Sequence, residues 1–276
     1  MKQIYKYRFY YYLALPGLVY FVIFHYVPMG GAIIAFKDIS PFEGLEGIFN
    51  SPWVGLKHFD RFTSSVYFFD VIQNTLIISG LKILFGFPAP IIFALLLNEV
   101  LRMSLKKMVQ TISYLPHFIS WVVTAGMVTA LLATSGGLIT ETINDLTGSK
   151  INFLGNKDYF VSILVTTHVW KTIGWSSIIY LAAMSSIDPT LYESARIDGA
   201  NRLQMAWHIT LPSITFIIVI MFLFEIGHLL DAGFEQILLL YSPGVYKVAD
   251  IIDTYVYREG LLALKYSFAA AVGLFK

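Results

Sequence analysis

The chain has 276 residues, of which 57% are hydrophobic and only 13% charged, with a net charge of +1. Ordinary soluble domains are about 45–50% apolar and about 25% charged, and one soluble core of this size cannot hide so much apolar surface, so much of it must face lipid. There is no basic block or nucleic-acid motif, and the absence of cysteine removes disulfides, thiolate metal sites and cysteine nucleophiles.

Lys2, Lys6 and Arg8 precede an apolar run that reaches Phe36. It is too long for the core of a cleaved signal and has no small-x-small site, so it reads as a retained first span. Stretches of roughly 20 apolar residues, enough to cross about 30 Å of hydrocarbon, are expected at 11–36, 70–97, 108–134, 159–184 and 209–230. A sixth begins at Leu261 with LLALKYSFAAAVGLFK. Sixteen helical residues rise only about 24 Å, so 261–276 reads as an incomplete span. The expected fold is all-α, a polytopic bundle forming a single membrane domain over 1–276.

Placing the N-terminus inside gives inner segments 1–10, 98–107 and 185–208, with eight Lys and Arg in 44 positions; the outer segments hold seven in 87. This asymmetry puts the N-terminus and the 185–208 segment in the cytoplasm. Pro16, Pro28, Pro88, Pro90 and Pro116 interrupt the spans. Membrane helices tolerate prolines where neighbours satisfy the freed backbone groups, so these alone assign no function.

Between the fourth and fifth spans lies the polar stretch YESARIDGANRLQMAWHITLP, residues 192–212. Asp188-Pro189 is a helix start, the Asp as N-cap and the Pro in the first helical position. LYESARID then makes about two turns, and Gly199 accepts the left-handed conformation that ends a helix. ANRLQMAWH forms a second short helix, with Leu203, Met205, Ala206 and Trp207 available for burial, and Ile209 to Pro212 re-enter the membrane. Composition alone leaves an amphipathic surface loop equally open. The spacing is more specific: Glu193, Ala195, Gly199, Ile209, Leu211 and Pro212 match E-A-A-x3-G-x9-I-x-L-P, with Ser194 the one departure.

This segment resembles the EAA loop of permease subunits in binding-protein-dependent ATP-binding-cassette importers of the carbohydrate class (maltose, glycerol-3-phosphate and polysaccharide permeases). WVGLKHF at 53–59, Asn74-Thr75-Leu76, YLPHFISWVV at 114–123, GGLIT at 136–140, INFLG at 151–155, DTYVYREG at 253–260 and YSFAAAVGLF at 266–275 are also similar to that family. The resemblance implies a six-span type I permease fold in which 188–212 is a coupling helix-turn-helix seated in a cytoplasmic ATPase. It implies that Glu193 meets a basic residue of the ATPase and that Gly199 makes the turn. Ser194, Ala195, Asp198, Ala200, Arg202, Trp207, Leu211 and Pro212 complete the docking element. The implied partners are a second permease, two ATPase subunits, an extracytoplasmic solute-binding protein, the bilayer and a carbohydrate substrate. The implied location is a bacterial or archaeal cell membrane.

The chain has no G-x-x-x-x-G-K-[ST] loop, no H-E-x-x-H and no G-x-S-x-G. No catalytic or metal site is expected, and ATP with its Mg would be held by a separate subunit. Charge in lipid is expensive and marks functional suspects. These are Lys82, the pair His168 and Lys171, and the pair Glu225 and His228, with His117 weaker; packing bonds between helices are the competing explanation. Trp170, Trp175 and Tyr180 could stack on sugar faces. The leading expectation is half of an import pathway for an oligosaccharide or polysaccharide fragment. The alternatives are an importer for a non-sugar solute such as a glycerophosphate, an ion-coupled secondary transporter, and an intramembrane enzyme.

Overall fold

The computed structural model describes residues 6–42, 44–148 and 150–276. Lys2, counted above with the inner basic residues, lies outside them. Helices dominate and, among the described residues, the only β pairing is an isolated bridge between Lys37 and Trp53. The chain divides into two compact units, the described part of Met1–Phe69 with Ile252–Lys276, and Asp70–Ile251.

The first unit begins with α1, a 29-residue run over Arg8–Phe36 that is long and apolar enough to cross a membrane. A π-helical turn, Val22–Tyr26, lies just ahead of Pro28. Proline lacks an N–H and its ring collides with the carbonyl four residues back, so a wider turn at that point relieves the clash. Two short helices follow, α2 (Gly44–Asn50) and α3 (Lys57–Thr63). Lys37 Nζ donates to the Ile48 and Phe49 carbonyls at the end of α2. Asp38 pairs with Lys57 at 2.6 Å, and the Lys57 ammonium holds its carboxyl below the usual range. Phe62, 1% exposed, is ringed by Phe68, Tyr255, Phe268 and Phe275.

The second unit is built on α4 (Phe68–Gly86), α5 (Pro88–Asn98), α6 (Met103–Phe118), α7 (Trp121–Leu132) and α8 (Leu138–Thr147). These are followed by α9 (Lys157–Met184), α10 (Pro189–Ile197), α11 (Arg202–Gly227), α12 (Phe234–Leu240) and α13 (Tyr246–Ala249). Phe68–Asn98 and α11 are, with α1, the three described helices long and apolar enough to span. At 28 residues α9 is also long enough, but it is less apolar.

Three expectations are corrected. The span at 108–134 is two helices, α6 and α7, meeting at 101°. Pro116 lies in the last turn of α6, Ile119 and Ser120 are extended, and Ser120 caps α7 by accepting from the Val123 N–H at 3.3 Å. The second helix of the polar insert is not separate from the fifth span, because α11 runs unbroken from Arg202 to Gly227. A π turn at Ala206–Thr210 accommodates Pro212 as the first one accommodates Pro28. The last helix begins at Tyr266 rather than Leu261: α14 (Ile252–Val256) continues into a π turn, Leu264 turns left-handed at φ 56°, and α15 is Tyr266–Phe275.

In lipid, apolar contact between helices gains little, so close packing and interhelical hydrogen bonds hold a bundle together. Both occur here. Asn74 of α4 donates to the Lys247 and Asp250 carbonyls, each at 3.1 Å. Gly174 of α9 lies directly against the backbone of Ser113 of α6, and any Cβ there would overlap that carbonyl. Gly174→Ala is therefore expected to destabilise the purified protein by about 1–3 kcal/mol, the usual cost of overpacking. A melting temperature equal to that of the unsubstituted protein would show that the two helices do not touch there.

Candidate functional site

Two features combine polar chemistry with the apolar helices: a cavity inside the second unit, and the polar insert between α9 and α11.

The cavity, of about 150 Å³, is lined from α4, α5, α9, α11 and the segment after α11. Five of the eight expected pathway residues converge on it: Lys82, His168, Tyr180, Glu225 and His228. Ser79, Thr172, Ser176 and Asp231, which were not expected, join them. On α9 the contributors are His168, Thr172, Ser176 and Tyr180, one every four residues. Residues so spaced share a helix face, so they form a polar ladder about 18 Å long. This ladder is why α9 is less apolar than a lipid-facing helix, and its spacing was the signal available in the sequence.

Lys82 is 7% exposed, yet among the described residues no carboxylate pairs with its ammonium. It donates to the Ala232 carbonyl at 2.7 Å and to Gln236 Oε1 at 2.6 Å. Gln236, fully buried on α12, donates in turn to the Leu164 carbonyl at 2.8 Å and to Thr167 Oγ1 at 2.6 Å. These bonds tie α4, α9 and α12 together and fix the ammonium beside the cavity. An ammonium carries three donors; the two named bonds use two. One turn away, Ser79 Oγ is buried without a hydrogen-bond partner. A buried hydroxyl left unpaired costs free energy unless something that visits the site satisfies it. The cavity thus offers donors and acceptors of both kinds. At its size it holds one group of a larger solute, since closed small-molecule sites occupy roughly 300–1,000 Å³.

Trp170, Lys171 and Trp175 do not reach this cavity. Trp170 lies on a separate apolar groove with Leu81, Phe85, Val165 and Val169. Trp175 stacks on His117, with ring centroids 4.6 Å apart and planes 3° from parallel. Lys171, 6% exposed, donates to the carbonyls of Pro116 at 3.0 Å and His117 at 3.3 Å, and also to that of Ile119. Its ammonium lies 5.2 Å from the Trp121 ring. It therefore caps the broken end of α6. A helix broken at membrane depth leaves carbonyls that lipid cannot satisfy, and the negative end of the helix dipole attracts a cation.

The insert is built as two helices joined by a defined turn. Asp188 caps α10 by accepting the Thr190 N–H at 2.9 Å, and that bond keeps its carboxyl below the usual range. At the other end Gly199 is left-handed, φ 80°. The Gly199 N–H reaches the Arg196 carbonyl at 3.1 Å and the Ala200 N–H reaches the Ala195 carbonyl at 2.9 Å. This bond pair is a Schellman turn, which satisfies carbonyls that the helix end would leave open. The next helix starts two residues later with a reciprocal box. Asn201 Oδ1 accepts the Gln204 N–H at 2.9 Å, and Gln204 Oε1 accepts the Asn201 N–H at 2.8 Å. Every residue between the helices is thus fixed by a local bond, which makes the turn stiff.

Ala195, Asp198, Gly199 and Ala200 line a concavity of about 330 Å³ with Gln204, Met205, His208 and Ile209. Of the other expected docking residues, Glu193 and Ser194 are exposed on α10, and Arg202 pairs with Glu99 at 3.5 Å across an exposed surface. Leu211 and Pro212 open the α-helical continuation of α11. Met205 is buried, whereas Ile197, Leu203 and Trp207 are 87%, 78% and 67% exposed. Large apolar side chains left exposed on a polar, rigidly built insert mark a surface that meets another protein or the membrane.

Residues 86–275 match the family model described as binding-protein-dependent transport system inner membrane component. The polygalacturonan/rhamnogalacturonan transport system permease protein YteP of Bacillus subtilis (strain 168) is 48% identical over 269 residues, covering 98% of this chain and 83% of the relative. Protein LplB of the same organism is 44% identical over 266 residues, covering 96% of this chain and 83% of the relative. Among solved structures, a bacterial ABC transporter involved in the import of the acidic polysaccharide alginate superposes with a TM-score of 0.91 at 43% identity, over 99% of this chain and 91% of that one. The same kind of transporter in complex with an alginate pentasaccharide-bound periplasmic protein superposes with a TM-score of 0.90. With the family model covering most of its length, this chain belongs to the inner membrane components of binding-protein-dependent transport systems.

Proposed function

We propose that this chain is the transmembrane subunit of an ATP-driven importer and forms half of the pathway for an oligosaccharide or polysaccharide fragment handed over by a solute-binding protein. The observation that carries this reading is the polar cavity enclosed by apolar helices. Lys82, His168, Tyr180, Glu225 and His228, with Ser79, Thr172 and Ser176, present hydroxyl, amine and carboxylate groups suited to a polyhydroxylated solute. The polygalacturonan, rhamnogalacturonan and alginate named for its relatives are of that chemistry.

The rest of the reading follows from the insert. The N-terminus and the insert lie on the cytoplasmic side, where the denser basic residues are. Glu193, Ser194, Ala195, Asp198, Gly199, Ala200, Arg202 and Trp207 form the surface that docks on the ATPase, and Leu211 and Pro212 continue it into the fifth span. ATP and Mg are bound by that ATPase and not by this chain, and a second permease completes the pathway.

The substrate class is tested by assembling the chain with its partner permease, ATPase and binding protein and measuring ATP hydrolysis with defined oligosaccharides. Galacturonate or mannuronate oligomers, or neutral sugar oligomers, are expected to stimulate hydrolysis severalfold through the binding protein. Stimulation by glycerol phosphodiesters and by no oligosaccharide would assign the pathway to a phosphate-bearing solute instead.

A further inference from the structure

We infer that Tyr192 is a positioning residue of the power-transmission step, a strut that stops α10 from rolling against the base of α11; this rests on the reading that the insert couples to an ATPase.

The turn at Gly199 and the short link from α9 hold α10 only by its ends. A nine-residue helix held by its ends can still rotate about its own axis, and rotation would absorb a push meant for the membrane helices. What opposes rotation must be a bond off the axis. Apart from the local turns, one such bond is present among the described residues: Tyr192 Oη lies 2.9 Å from Thr210 Oγ1. Its direction follows from the next link. Thr210 Oγ1 donates its single hydrogen to the Met205 carbonyl at 3.4 Å, so the phenol is the donor to Thr210. The result is a relay from α10 through a hydroxyl to the backbone of α11.

Three features suit this relay to bearing load. Thr210 is 3% exposed and Met205 7%, so water does not readily replace the bond. Thr210 and Met205 bracket the π turn at Ala206–Thr210, where a helix ladder is locally widened and most able to yield. Tyr192 is half-buried on the inner side of α10, whereas Glu193, Ser194 and Ile197 face outward. The same short helix thus carries its partner surface on one side and its brace on the other.

The test uses the assembled importer, helped by the absence of cysteine from this chain. Spin labels at Leu191→Cys on α10 and Phe216→Cys on α11 report the distance between the helices, with and without trapping by MgATP and vanadate. The strut predicts that the distance is unchanged by trapping in the otherwise unsubstituted protein. In Tyr192→Phe and Thr210→Val it becomes broader and nucleotide-dependent, while Thr210→Ser restores the narrow distribution. ATPase subunits should co-purify with all of them, and binding-protein-stimulated hydrolysis should fall about fivefold in Tyr192→Phe, the factor set by one lost hydrogen bond. An unchanged distribution in Tyr192→Phe would overturn the strut, as would a nucleotide-dependent distance before any change to Tyr192 or Thr210. Failure of ATPase subunits to bind even the unsubstituted chain would instead overturn the coupling reading on which the strut depends.

Discussion

Replacing Lys171 by methionine is expected to cost about 3 kcal/mol or more of stability, because the carbonyls of Pro116, His117 and Ile119 lose their shared donor. Typical proteins have only about 5–15 kcal/mol in hand. Lys171→Met should therefore lower the melting temperature of the purified complex and speed hydrogen exchange at Ile119 to Val123. Lys171→Arg, which keeps the charge and several donors, should recover much of the loss. If Lys171→Met melts normally but abolishes transport, the lysine belongs to the solute pathway and the capping role is wrong. The effect is large because the break lies inside an apolar region. The two helices meet at 101°, and lipid cannot take over the bonds of the carbonyls freed there.

The second large effect is expected at Gly199. Its φ of 80° lies where side chains are strained. A branched residue there costs about 1–2 kcal/mol, asparagine less, and proline is fixed near φ −65°. Gly199→Asn should keep uptake, while Gly199→Pro should reduce it more than tenfold by breaking the Schellman turn that aligns α10 with α11. Reversing charge at Glu193 should weaken co-purification of the ATPase without altering the turn. The measurements are ATPase recovered per permease and ATP-driven uptake. If both stay normal in Gly199→Pro and in Glu193→Arg, the insert is not the coupling element.

The insert was the most legible part of the sequence because its structure is fixed by bonds between near neighbours. Asp188, Pro189 and Gly199 each act within a few residues of themselves, so type and position were enough. The break between α6 and α7 was hidden for the opposite reason. The apolar run 108–134 continues straight through it, and the donor that makes it tolerable, Lys171, comes from more than fifty residues further on. The start of the last helix was missed because nothing about leucine announces the left-handed backbone found at Leu264.

The cavity lies between these cases. Single ionisable residues in apolar spans marked Lys82, His168, Glu225 and His228, which the fold brings to one cavity. Treating His168 and Lys171 as a functional pair failed for a geometric reason. With about 100° per residue, the ladder His168, Thr172, Ser176, Tyr180 centres about 120° away from Lys171 and about 140° from Trp170. Proximity along the helix brought them together on paper, whereas the four-residue ladder identifies the face that is polar. Gln236 and Ser79 carried no charge to mark them, and their roles depend on contacts with Lys82 and the cavity that only the folded chain supplies.

The central claim is that this membrane subunit is driven through its polar insert by an ATPase it does not contain. The most direct measurement is uptake into proteoliposomes holding the complete importer, with ATP placed on the side of the insert. Uptake is predicted to require ATP on that side and to persist when a protonophore collapses the proton gradient. Uptake that proceeds without ATP and stops when the gradient collapses would contradict the account and make the chain an ion-coupled transporter.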